Sequence, residues 1–230
     1  GVRKKRVMVV MGTRPEAIKL SPLIHALQEH SDVIDVVVTL SGQHRDMLDQ
    51  VLEVFSIEAS HDLDVMQERQ TLFHVTTTVL TRIESVMKQE ALDLVIVQGD
   101  TTTAMTAALA AFYLRIPVAH VEAGLRTGDR MNPYPEETNR RLISQLADWH
   151  FAPTTWARDN LLHEGLPPES IYVTGNTVID ALLCVAKRDF SFSTPELQSL
   201  DFENQRVILV TLHRRENWGA PVESVCLALK

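Results

Sequence analysis

Apolar residues in this chain fall into short unbroken runs, and stretches of helical spacing separate them. Val7 to Met11 is the first run, stopping at Gly12-Thr13-Arg14-Pro15-Glu16. Behind it, Ile18, Leu20, Leu23, Ile24 and Leu27 recur at the spacing that gathers them on one face of a helix from Glu16 to Gln28. Pro15 suits the first turn, where a missing N–H costs nothing. The unit then repeats. Val33 to Leu40 predicts a strand and Met47 to Phe55 a helix, and a longer helix runs from Thr71 to about Gln89. Asp93 to Gln98 and Pro117 to Val121 are further apolar runs, separated by an alanine-rich helix ending near Leu114. A Gly- and Pro-rich loop, Gly124 to Pro135, leads to a helix over Glu136 to Ala147, then a short strand at Trp149 to Ala152 and a helix from Thr154 to His163. Ile171 to Thr174 and a helix through Lys187 complete the series. Unbroken apolar runs predict strands buried on both faces, and their alternation with helices predicts an α/β fold with a doubly wound parallel sheet.

The pattern lapses between Asp189 and Gln205 into Ser, Thr, Pro and acids, then Arg206 to Leu212 predicts a new strand and Pro221 to Lys230 a helix. We therefore expect a domain at residues 1–188, a linker at 189–205, and at 206–230 the opening of a second domain whose remainder is absent.

Composition narrows the class. Of 230 residues, 45% are hydrophobic and 23% charged, as in an ordinary globular protein. The net charge of −8 argues against nucleic acid as a partner, so any anion site must bring its own cations. Two cysteines, Cys184 and Cys226, without a CxxC pair suit reduced thiols in a cytoplasm. Arg14 and Glu16 cut the first apolar run short of a signal peptide, and Arg115 and Pro117 interrupt the most apolar long segment, so no membrane span is expected.

Ligands of a parallel sheet sit beyond the carboxyl ends of its strands. Asp100 and Glu122 follow two such ends, and Glu136 stands near the start of the next helix, so three acids are expected on one rim. Each has a plainer reading. Asp100 could simply cap the helix that follows, and Arg69 and Gln70 could be a solvated helix start. His120 and Glu122 alternate on one strand face and could form a metal pair, but no HExxH motif or Cys/His cluster supports a metal. The first strand–turn–helix unit could hold a phosphate on its amide groups, with Arg14 and Lys19 adding charge, or be an ordinary turn.

Seven blocks in order then carry a resemblance: GTRPEAIKLSP (12–22), GQHR (42–45), QGDTTT (98–103), HVEAGLRTGD (120–129), PEETNR (135–140), VTGNTVID (173–180) and HRREN (213–217). Together the chain resembles the non-hydrolysing UDP-N-acetylglucosamine 2-epimerases of bacteria. The resemblance implies two Rossmann-like domains, similar to B-type glycosyltransferases, with UDP-N-acetylglucosamine bound between them and converted to UDP-N-acetylmannosamine. It implies catalytic roles for Asp100, Glu122, Glu136 and His213, and substrate binding by Arg14 and Lys19 together with Asp100, Glu122 and His213. It also implies activation by the substrate at a neighbouring site holding Gln43, Arg69, Gln70, Glu136 and Arg214, where Asp46 replaces a Gln of some relatives. A homodimer is implied too. No GxGxxG fingerprint for NAD is present, which favours departure of UDP over transient oxidation, and no cofactor is expected. A hydrolysing epimerase and a non-catalytic UDP-sugar binding module remain as alternatives.

Overall fold

The computed structural model describes residues 3–43, 45–211 and 219–229. They fall into two units, Gly1–Lys187 and Arg188–Lys230. In the first, the strands β1 (Lys5–Met11), β2 (Ile34–Leu40), β3 (His61–Asp62), β4 (Leu94–Gln98), β5 (Val118–Val121), β6 (Trp149–Ala152) and β7 (Ile171–Val173) form one sheet. Its order is β3-β2-β1-β4-β5-β6-β7, and every pairing is parallel. The chain winds outward from β1 to β3, crosses back through α3 (Leu72–Glu90) to β4, and winds outward again to β7. Such a reversal leaves a crevice beyond the carboxyl ends of the two central strands. Here those strands are β1 and β4.

Successive side chains of a strand face opposite sides, and both sides are dry. Met8, Val10, Val37, Val95, Val97 and Val118 pack toward α3, α4 (Thr102–Tyr113) and α5 (Glu136–Leu146). Val7, Val9, Met11, Val38, Leu40, Ile96 and Val121 pack on the other side with α1 (Arg14–Glu29), α2 (Arg45–Phe55) and α7 (Thr177–Ala186). Burial on both faces is why these strands read as continuous apolar runs. Ala104, Ala107, Ala108 and Ala111 of α4 are fully buried, and their small side chains let that helix lie close on the sheet. A smaller cluster joins α6 (Thr155–His163) to β6 and β7 through Ala152, Ala157, Leu161 and Ile171.

Two features differ from the expectation. β3 has two residues and, among the described residues, pairs with β2 alone, too short for an apolar run to announce it. In the second unit, residues 206–211, predicted as a strand, carry no regular structure, and among the described residues no strand pairs with them. Apolar content favours a strand but supplies no partner for its amides. Ile208 and Leu209 are 79% and 87% exposed. The second unit also holds α8 (Pro195–Gln198) and α9 (Ala220–Ala228). Within residues 189–205 the Phe192 ring lies edge-on to Phe190 and stacks on Phe202, at 5.1 and 5.4 Å. Among the described residues no helix is long and apolar enough to cross a membrane.

Candidate active site

The crevice is built on the turn after β4. Gly99 bends the chain at φ +71°, and Asp100 and Thr101 follow. Thr101, not Asp100, caps α4, its Oγ1 accepting the Ala104 N–H at 3.0 Å. The Asp100 carboxylate is therefore not engaged as that cap, and its Oδ2 lies 3.5 Å from the Arg140 Nε. Burial pushes the Asp100 carboxyl above its ordinary range; Arg140 pulls it back, Glu136 and Glu122 raise it further, and Lys19 lowers it. The three acids singled out in the sequence thus lie within electrostatic reach of one another, with two cations between them.

Glu122 stands one residue past β5 at φ +64°, in the left-handed region, where a residue with a side chain is strained by roughly 1–3 kcal/mol. The Lys19 Nζ, from α1, lies 2.7 Å from its Oε2 and 3.0 Å from its Oε1. Asn176, the N-cap of α7, donates to the same Oε2 at 3.3 Å. That left-handed residue also breaks the alternation expected of His120 and Glu122. His120 is fully buried, its Nε2 donating to the Gly99 carbonyl at 2.7 Å, and burial pushes its pKa down to about 3, so it is neutral. Nε2 is thus taken up by the turn, and among the described residues no three His, Cys, Asp or Glu side chains gather as metal ligands.

Glu136 is the first residue of α5. Spacings of three and four bring Asn139 and Arg140 to the same face. Arg140 is 8% exposed and faces inward. Its Nε approaches Glu137 at 3.2 Å, and Asn139 donates to the Asp100 carbonyl at 3.0 Å. Glu137 is fully buried and accepts the amide N–H groups of Thr127 and Gly128 at 3.1 and 3.3 Å, fastening the preceding loop to α5.

The turn after β1 differs from the phosphate cradle that the sequence allowed. Glu16, 1% exposed, accepts the N–H groups of Gly12 and Thr13 at 2.9 and 2.7 Å and the Thr13 hydroxyl at 2.8 Å. The Thr101 hydroxyl donates to its other oxygen at 2.7 Å. Burial pushes this carboxyl up while those donors pull it down. Two amides offered to a phosphate are therefore already bonded to an internal carboxylate. A Cβ on Gly12 would stand 2.4 Å from the Ser41 Oγ and 2.9 Å from the Thr103 Oγ1, so both hydroxyls would have to turn aside. Arg14 is exposed at the start of α1, bordering a groove of about 430 Å³ with Ile18, Gln50, Val54 and Leu182.

Of the residues expected at an activator site, Gln43 and Gln70 meet, the Gln70 Nε2 donating to the Gln43 carbonyl at 3.1 Å. The Gln43 side chain in turn accepts from the Thr103 hydroxyl on α4 at 3.1 Å. Arg69 and Asp46 are exposed. His213 and Arg214 lie outside the described residues. Sequence reasoning missed Glu16, Glu137, Asn139, Arg140 and Asn176 as parts of the site, although helical spacing from Glu136 points to two of them.

Residues 25–230 match the family model described as UDP-N-acetylglucosamine 2-epimerase. The chain is 48% identical over 229 residues to the UDP-N-acetylglucosamine 2-epimerase of Bacillus subtilis, which covers 100% of this chain and 59% of that protein. It is similar to the crystal structure of the Neisseria meningitidis UDP-GlcNAc 2-epimerase bound to UDP-GlcNAc, with a TM-score of 0.75 and 51% identity over 78% of this chain and 49% of that one. A lipopolysaccharide outer core galactosyltransferase shares the fold alone, at a TM-score of 0.54 and 14% identity over 74% of this chain and 44% of that one. The chain spans about three fifths of the length of the curated relatives it matches. By this match, and by the acids assembled at the crevice, the chain belongs to the UDP-N-acetylglucosamine 2-epimerase family.

Proposed function

We propose that this chain carries the proton-transfer half of an enzyme that interconverts UDP-N-acetylglucosamine and UDP-N-acetylmannosamine. The observation that carries the reading is the meeting of Asp100, Glu122 and Glu136 with Lys19 and Arg140 at the strand-order reversal. Carbon 2 of the sugar is not next to a carbonyl, so its proton is not acidic by itself. Departure of UDP changes that. As the bond from carbon 1 to the diphosphate oxygen breaks, its electron pair leaves with UDP, and the cationic ring makes the carbon 2 proton labile. A carboxylate takes that proton, leaving 2-acetamidoglucal. A proton delivered to the opposite face of carbon 2, followed by return of UDP to carbon 1, gives the epimer.

The reaction needs acids and bases on both faces of the ring and cations for the departing charge. Asp100, Glu122 and Glu136 divide the proton transfers and the positioning of the ring. Asp100, whose carboxyl is raised, is suited to holding a proton. His213 with Arg14 steadies the diphosphate, and Lys19 holds Glu122 in place. We extend the reading to activation by a second substrate molecule at Gln43, Arg69, Gln70, Glu136 and Arg214, to a cytoplasmic homodimer, and to a second Rossmann-like domain beginning near residue 206. The test is incubation of the longest expressed form of the protein with UDP-N-acetylglucosamine in heavy water, following carbon 2 by NMR. Deuterium in a UDP-linked product supports the proposal. Free N-acetylmannosamine would replace it with a hydrolysing enzyme, and binding without exchange would leave a UDP-sugar binding module.

A further inference from the structure

Each residue of the Gly99-Asp100-Thr101 turn is bonded to a buried polar side chain from a different element. His120 on β5 donates to the Gly99 carbonyl at 2.7 Å. Asn139 on α5 donates to the Asp100 carbonyl at 3.0 Å, and Glu16 on α1 accepts from the Thr101 hydroxyl at 2.7 Å. The three side chains are 0%, 5% and 1% exposed.

Stability alone does not call for them. A buried polar group gains little over an apolar one of similar shape, and it is costly where a partner is lacking. Nδ1 of His120 is such a case, buried with no hydrogen-bond partner in the protein. Because the Gly99 carbonyl can only accept, Nε2 carries the proton and Nδ1 is the orphan. What the three bonds accomplish together is to fix the backbone on both sides of a carboxylate that is itself 33% exposed to the crevice. Misplacing a reacting group by about 1 Å can reduce a rate by ~10²-fold.

We propose that Glu16, His120 and Asn139 are positioning residues for Asp100, holding its turn at three successive residues so that the carboxylate meets the sugar in one orientation. The inference rests on the catalytic reading of Asp100 above. His120→Leu removes one hold; His120→Gln retains an amide able to reach the Gly99 carbonyl; Asn139→Ala removes a second hold independently. The measurements are kcat and KM for UDP-N-acetylglucosamine, and the titration of the Asp100 carboxyl by 13C NMR. His120→Leu and Asn139→Ala are expected to lose about tenfold or more in kcat with KM within about twofold, and His120→Gln to recover most of the loss. The Asp100 midpoint is expected to move in the first two variants and return in the third. Unchanged kcat and titration in the folded variants would overturn the proposal, as would equal losses in His120→Leu and His120→Gln, which would make His120 a packing residue. If His120→Leu does not fold, Asn139→Ala carries the same test. If the parent protein exchanges nothing at carbon 2, the proposed function falls, while the NMR titration still decides whether these side chains position Asp100.

Discussion

Glu136 and Glu137 are adjacent, identical side chains with different surroundings. Glu136 bears on Asp100 across the crevice, whereas Glu137 is buried against two amides and two arginines. Burial alone would raise the Glu137 carboxyl, but the Thr127 and Gly128 N–H groups, with Arg140 and Arg141, outweigh it and hold the group below its ordinary value of 4.5. A lowered folded value means that Glu137 adds stability above the unfolded value, and that this is lost as pH falls through the folded one. Glu137→Ala is expected to destabilise the fold by about 3 kcal/mol near neutral pH and by less in acid, as read from urea unfolding at the two conditions. Glu122→Gln should behave differently, losing ~10²-fold or more in kcat with little change in melting temperature. Near-parental activity would remove Glu122 from the site. The three acids were legible because each follows an apolar run or opens a helix. Glu137 was not, since nothing in a Glu-Glu pair says which one faces inward; that is decided by the loop folding back over α5.

At the scale of elements, the close approach of the turn after β5 to α6 is a sharp constraint. Gly124 has φ +90°, and a Cβ there would lie 2.2 Å from the Ala157 carbonyl oxygen, a backbone atom that cannot turn aside. Gly124→Ala is expected to lower stability by about 2 kcal/mol or more, visible in thermal unfolding, because α6 must shift. Helices and central strands were readable because each buries a face with its own period. The left-handed residue at Glu122 was not, because hydrophobic pattern reports burial and says nothing of a single dihedral.

For the molecule as a whole, strand and helix alternation was enough to predict a doubly wound sheet, but not where its order reverses, since that depends on which side of β1 the strand after α3 joins. The run at 206–211 marks the other limit. Val207 to Val210 is β-prone and uncharged, with its apolar side chains largely in solvent. Such a segment is prone to self-association, so Leu209→Lys should reduce light scattering of this 230-residue chain at high concentration without altering the far-UV signal of the first unit. The carboxylate of Glu16 bears on another question, that of inhibitors. In many doubly wound proteins the first turn is the natural place to anchor a phosphate mimic. Here the Gly12 and Thr13 amides already donate to the protein's own Glu16 carboxyl, so a compound that directs a phosphate or sulfonate at them would find no free donor. A ligand that presents a flat, cationic oxocarbenium-like ring to the three acids would instead gain attraction.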